Sequence, residues 1–343
     1  MLYMGSMKGE VLAINPINRS AGHSFPQESA GEWRFSVGGG GGGGFLSCAP
    51  AATVSFYGSP VVADGVVYAG TSTGKIYALN ATAGYDIWQY PRDGYIGSII
   101  GSPVIDNGIL YIGSADGKLY AIDIEAKQLA WDSPFATGDG IWATPLVHDG
   151  VVYFGSLDHK LYALDAKTGE PVWESPFETG GAIAATPLIY NNTLYIGSFD
   201  RRFYAINLDG TEKWRFEGAG NWFWGQAVAY NDTIIAGCLD HWVYALDAEQ
   251  GTEVWEYETG GPIRGDPALW GDLVIFGSED GKVYALDAGS GEEKWTRTLE
   301  PATQVRAPLY AEDGVVYVHA VNQKLYALDI ESGAVLWSFA SGD

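Results

Sequence analysis

Eight tryptophans divide this chain into near-equal lengths: Trp33, Trp88, Trp131, Trp173, Trp214, Trp255, Trp295 and Trp337. The successive intervals are 55, 43, 42, 41, 41, 40 and 42 residues, so one is long and the rest form a regular ladder. A second landmark keeps the same period. Leu-Tyr-Ala-Leu-Asp stands at Leu161 to Asp165, with near copies at Ile76 to Asn80, Leu119 to Asp123, Phe203 to Asn207, Val243 to Asp247, Val283 to Asp287 and Leu325 to Asp329, and a weaker copy at Val11 to Asn15. A fixed period of this size restricts the chain to architectures built from copies of one small unit.

Within one repeat, Thr144 to Trp173, short β-branched and aromatic runs alternate with turn clusters, and nothing has a helical period. Four short strands follow, A to D. His148-Asp-Gly150 turns A into B, Leu157-Asp-His159 turns B into C, and Lys167-Thr-Gly169 turns C into D, with glycine supplying positive φ where it occurs. Four antiparallel strands per unit, repeated about eight times, predict an all-β fold: an eight-bladed β-propeller forming one domain over residues 1–343. Proline opens strand A at Pro60, Pro103, Pro145, Pro187, Pro267 and Pro308, which suits an innermost edge that needs no donor on its channel side.

The repeat fails in two places. Leu2-Tyr-Met-Gly-Ser6 matches strand B with no strand A before it, so the first blade is expected to be incomplete. Loss of an N-terminal segment carrying strand A and an export signal or lipid anchor explains this, as does a three-stranded first blade. The long Trp33 to Pro60 interval holds Gly38 to Gly44, which predicts a Gly-rich inserted loop at 38–57. No Gly-Lys-Ser/Thr follows those glycines, which excludes a phosphate-binding loop.

Ala-Leu-Asp-Ala-Lys-Thr-Gly-Glu-Pro-Val-Trp, Ala163 to Trp173, resembles the repeat of the pyrroloquinoline-quinone-like (PQQ-like) propellers. It recurs at Ala245 to Trp255, Ala285 to Trp295 and Ala327 to Trp337, and the spacing extends the likeness over nearly the whole chain. The resemblance implies that the eight tryptophans dock between neighbouring blades. It includes lipoprotein propellers that help assemble outer-membrane β-barrels, and quinoprotein dehydrogenases. From the residues themselves, Asp165 and its equivalents accept N–H bonds in the C–D turn, Gly169 permits that turn, and Trp173 fills a gap between blades. A feature present in every blade marks no single site.

Charge narrows the partners. With 42 acidic and 19 basic residues the net charge is -23, which repels a nucleic-acid backbone. Cys48 and Cys238 are too few for a disulfide framework, and Cys238 stands where Ser156, Ser198 and Ser278 stand in other blades, predicting a buried packing role. The five histidines lack metal-ligand spacing, and no run of apolar residues is long enough to span a membrane.

Function is expected where equivalent positions differ. The D–A connections and B–C turns share one face, and the ring position of those connections holds Tyr57, Ile100, Trp142, Ala184, Trp224, Arg264 and Arg306, with Trp222 beside it. His159, Arg201, Arg202, His241 and Trp242 decorate the B–C turns of that face. The A–B turns opposite carry Asp64, Asp106, Asp149, Asp272 and Asp313, predicting a more acidic second face. Aromatic and arginine side chains at a shared mouth form a recognition surface, since they bring contact area and fixed donors at modest entropic cost.

These features predict a non-catalytic binding or scaffolding protein, periplasmic or extracellular, anchored through a missing N-terminus. It is expected to be monomeric, to engage a protein partner and to need no cofactor. The resemblance also implies a quinoprotein dehydrogenase holding quinone and calcium in the funnel. Against it stand the isolated cysteines and the lack of an Asp, Glu and Asn cluster on the ring face. A third reading is the sensor part of a larger membrane protein.

Overall fold

The computed structural model describes residues 1–17, 19, 24–37 and 54–340; Cys48 and most of the expected Gly-rich loop lie outside them. The fold is an all-β eight-bladed propeller of antiparallel sheets. Helix is limited, among the described residues, to one 3-10 turn at Glu28–Ala30. The first blade has three strands, Leu2–Gly5, Glu10–Ile14 and Trp33–Ser36. No helix among the described residues is long and apolar enough to cross a membrane. The chain divides into two compact units, one within residues 1–145 and one within residues 146–343.

The sixth blade shows the general plan, with strand A at Val228–Tyr230, B at Thr233–Gly237, C at Trp242–Asp247 and D at Glu253–Glu258, each paired with the next. Strands B and C are buried on both faces, so they read as continuous apolar runs rather than alternating ones. Strand D alternates, because one face looks outward. The third and fourth blades depart from the plan. There Trp131-Asp-Ser-Pro134 and Trp173-Glu-Ser-Pro176 place a proline in strand D. Without its N–H the ladder breaks, leaving short pieces such as Gln128–Leu129 with Phe135–Ala136, and Phe177–Glu178.

Adjacent blades within each unit are joined by one repeated device. The indole N–H of Trp173 donates to Leu208 O at 2.8 Å, that of Trp214 to Ala248 O at 3.0 Å, that of Trp255 to Ala288 O at 3.1 Å and that of Trp295 to Ile330 O at 2.9 Å. Trp33 does the same to Ala81 O in the first unit at 2.8 Å. Each ring slides beneath the C–D turn of the next blade, and there the turn must be glycine for two reasons. Gly251 has φ +70°, and a Cβ on it would lie 2.5 Å from the Trp214 ring. The turn itself is held by its aspartate. Asp165 Oδ1 accepts the N–H of Thr168 at 2.8 Å and of Lys167 at 3.0 Å, and these bonds lower its pKa.

Trp88 is the exception. The turn that follows it in the third blade carries Lys127 at φ +59° in place of glycine. Trp88 is only half-buried, and its indole N–H finds no acceptor among the described residues. A Cβ where Gly84, Gly210, Gly251, Gly291 and Gly333 have none accounts for this.

Candidate functional site

The B–C turns and D–A connections are fastened together before any functional side chain is added. In Ser198-Phe-Asp200, Ser198 Oγ accepts the Asp200 N–H at 3.2 Å and Asp200 Oδ1 accepts the Arg202 N–H at 3.0 Å, closing the turn. Asp200 Oδ2 then takes the hydroxyl of Tyr204 at 2.5 Å and the N–H of Gly180, from the preceding D–A connection, at 2.8 Å. Burial first, then this carboxylate, pushes the Tyr204 pKa up to about 12, so the phenol stays a donor. Asp240 with Tyr244 and Gly220 repeats the arrangement. The Ser-x-Asp-x-x-x-Tyr spacing in the sequence encodes this clamp.

Cys238 does the work of Ser198 in its own blade. Its thiol donates to the backbone oxygen of Asn221 at 3.3 Å, as Ser198 Oγ does to Gly181 O at 3.2 Å. It is fully buried, and burial raises its pKa, which removes it as a nucleophile at neutral pH.

On this rigid base the second unit assembles a continuous patch. Phe199, in a B–C turn, stacks on Trp222 with centroids 4.5 Å apart and planes at 9°, and on Trp224 at 5.0 Å and 26°. The guanidinium of Arg264 lies over the Trp224 ring, 4.5 Å from its centroid. Such a cation–π contact contributes about 0.5 to 2 kcal/mol. Arg264 Nε also meets Glu279 Oε1 at 3.0 Å, and Arg306 holds the same carboxylate with Nε at 3.1 Å and Nη2 at 3.3 Å. Trp224, Arg264 and Arg306 come from three successive D–A connections, and Phe199 and Glu279 from two B–C turns.

The structure therefore gathers Trp222, Trp224, Arg264 and Arg306 of the sequence-predicted residues. Two members were missed. Phe199 and Glu279 occupy the residue between the Ser and Asp of the B–C turn, where the other blades of this unit have Leu157, Leu239 and Val321. A carboxylate at that position was the signal. Glu279 side chain is 11% exposed, against 28% for Arg264 and 46% for Arg306, so the acid is the floor of the cluster and the two cations its rim.

Other predicted residues of the second unit stand apart from the patch. His159 and His241, like Arg201, sit at φ +73°, +83° and +71°, the turn position that is glycine at Gly281. No hydrogen bond, ion pair or ring contact joins His159, His241 or Trp242 to the stack among the described residues. Trp242 instead packs against the apolar cluster that contains Trp214, Phe223 and Tyr244. Arg202 is paired with Glu217 at 2.9 Å. In the first unit, Tyr57 is 49% exposed and Trp142 half-buried.

A quinone held through calcium needs several convergent oxygen donors. Among the described residues no three His, Cys, Asp or Glu side chains converge to hold a metal, and Glu279 is already committed to two arginines. The donor set at the patch does not fit that cofactor.

The family model described as PQQ_2, outer membrane protein assembly factor BamB, matches residues 33–144, 128–238 and 239–343. No curated protein matches the sequence. Among solved structures, BamB from Moraxella catarrhalis superimposes with a TM-score of 0.70 at 21% identity, covering 99% of this chain and 92% of that one. The computationally designed Ika8 protein superimposes at 0.72 with 16% identity, covering 83% of this chain and 86% of that chain. At these identities the two structures speak to the fold.

Proposed function

The chain belongs to the family of outer membrane protein assembly factor BamB, and from that premise we propose that it is a non-catalytic scaffold that engages a protein partner through the Phe199–Trp222–Trp224–Arg264–Arg306 patch. The observation that carries the reading is the stack itself: an exposed indole, 41% accessible at Trp222, continuous with two arginines locked on one carboxylate. Tryptophan and arginine dominate the energetics of protein interfaces because they offer large, stiff contact surfaces and fixed donors. The patch holds its shape without a partner, so little side-chain entropy is lost on binding.

The same premise favours a location outside the cytoplasm, periplasmic or extracellular. A monomeric scaffold fits this reading, with no catalytic residue, no cofactor and no nucleic-acid partner.

Photo-crosslinking tests it. A photoreactive phenylalanine analogue in place of Trp222 is expected to capture one discrete protein in cells of the source organism. The same analogue in place of Tyr85, 60% exposed in the first unit, is expected to capture none. Equal capture from both positions, or none from position 222, would overturn the reading.

A further inference from the structure

We propose that the patch reads a carboxylate carried close to an aromatic side chain, on a short extended segment of the partner protein. This inference rests on the scaffold reading and names the chemistry of what that scaffold binds.

Donor accounting leads to it. Each guanidinium carries five N–H donors in a fixed fork. Glu279 takes one from Arg264 and one from Arg306, whose Nε makes a further ion-pair contact at 3.1 Å. Both terminal nitrogens of Arg264 and one of Arg306 donate to no protein acceptor among the described residues. Two cations share one anion, so the cluster keeps a formal charge of +1 in a chain whose net charge is -23. An incoming carboxylate finds local positive charge and paired donors already fixed in place here. A basic segment would be repelled by the rim.

The second half of the recognition is apolar. Trp222 is stacked on Phe199 on one side and 41% exposed, so another planar ring can extend the stack. The cationic end and the indole end are linked through Phe199 and Trp224 by three consecutive ring contacts, within the span of a few extended residues. A free inorganic anion would use the arginines and leave Trp222 idle. A purely apolar segment would leave the fork unused.

Glu279 has a definite part in this. It pins the two guanidiniums but also competes with the ligand for them. Glu279→Gln keeps a polar side chain of the same length and removes the competing charge, so it should strengthen carboxylate binding.

The experiment is calorimetric titration of the full chain with the synthetic peptide Gly-Ser-Asp-Gly-Phe-Gly-Ser-Gly, a version with Asn for Asp, a version with Ala for Phe, and free phenylacetate. The parent peptide is expected to bind with a Kd below about 1 mM, and each altered peptide at least tenfold more weakly. Arg264→Ala and Arg306→Ala should each weaken the parent at least tenfold, with unchanged circular dichroism, while Glu279→Gln tightens it several-fold. Equal binding of the Asn and Asp peptides would overturn the carboxylate reading. Phenylacetate binding as tightly as the peptide would make this a small-molecule site and overturn it too. If no peptide binds while Trp222 crosslinking still captures a protein, this inference falls and the scaffold reading stands.

Discussion

The seam between blades and the patch in the second unit use the same residue type for opposite ends. At the seam, Trp173, Trp214, Trp255 and Trp295 are buried, each hydrogen-bonded to a carbonyl and each under a glycine turn. At the patch, Trp222 and Trp224 belong to no blade-by-blade series, stack on a phenylalanine found in one turn, and keep surface open to solvent. Repetition marks packing, since a site that exists in every blade cannot distinguish one side of a propeller. Divergence on a repeated frame marks recognition.

That contrast is most exposed to failure in stability measurements. Trp255→Ala is expected to cost about 3 to 5 kcal/mol in chemical denaturation, because it opens a cavity and leaves Ala288 O without its donor. Trp222→Ala should cost less than about 1 kcal/mol, since that ring is 41% accessible and loses only a surface stack. Comparable losses at both positions would mean that the patch is core and not surface.

A second difference lies at the residue before the strand A proline. Ser102 Oγ accepts the Ser59 N–H at 2.8 Å, and Thr144 Oγ1 accepts the Ser102 N–H at 2.9 Å. In the seventh blade the position is Asp266, whose Oδ1 accepts the Gln226 N–H at 2.6 Å. Burial raises its pKa to about 6, only partly offset by that bond. The folded state therefore holds the proton more tightly than the unfolded chain. Stability falls as pH rises from about 4 to 6 and stays reduced above. Asp266→Ser, which keeps an acceptor and removes the charge, should stabilise the protein by about 1 to 2 kcal/mol at pH 7, with the gain vanishing below about pH 4. A gain independent of pH would mean that the carboxylate carries no such burden.

The frame was legible in the sequence for a physical reason. Strand order, the incomplete first blade and the Asp165 turn all follow from residue types that local backbone geometry demands, and local demands repeat with the chain. Arg264, Arg306, Trp222 and Trp224 were legible because a repeat makes deviations countable. Phe199 and Glu279 were not found, since their partners lie on other blades, 15 and 27 residues away for the two arginines on Glu279. The Asp–Tyr clamp was also missed: its period equals that of the strands, so its chemistry hid behind their packing. His159 and His241 stand in B–C turns as the sequence indicates and Trp242 opens strand C, but chain position does not say where a side chain reaches.

The smallest expected effects separate two reasons for a bulky residue at positive φ. Lys127 at φ +59° occupies the turn beneath which a tryptophan would otherwise lie, and Trp88 stays half-buried with an indole N–H idle among the described residues. Lys127→Gly removes the strained backbone and the obstructing Cβ together. It should stabilise the protein by about 1 to 2 kcal/mol, with blue-shifted tryptophan fluorescence as Trp88 moves under the turn. His241, at φ +83°, obstructs no tryptophan, so His241→Gly relieves backbone strain alone and should gain less than about 1 kcal/mol with no spectral change. An equal gain from both would mean that the glycine at the seam serves backbone conformation only, and that the space beneath it contributes nothing to how the blades join.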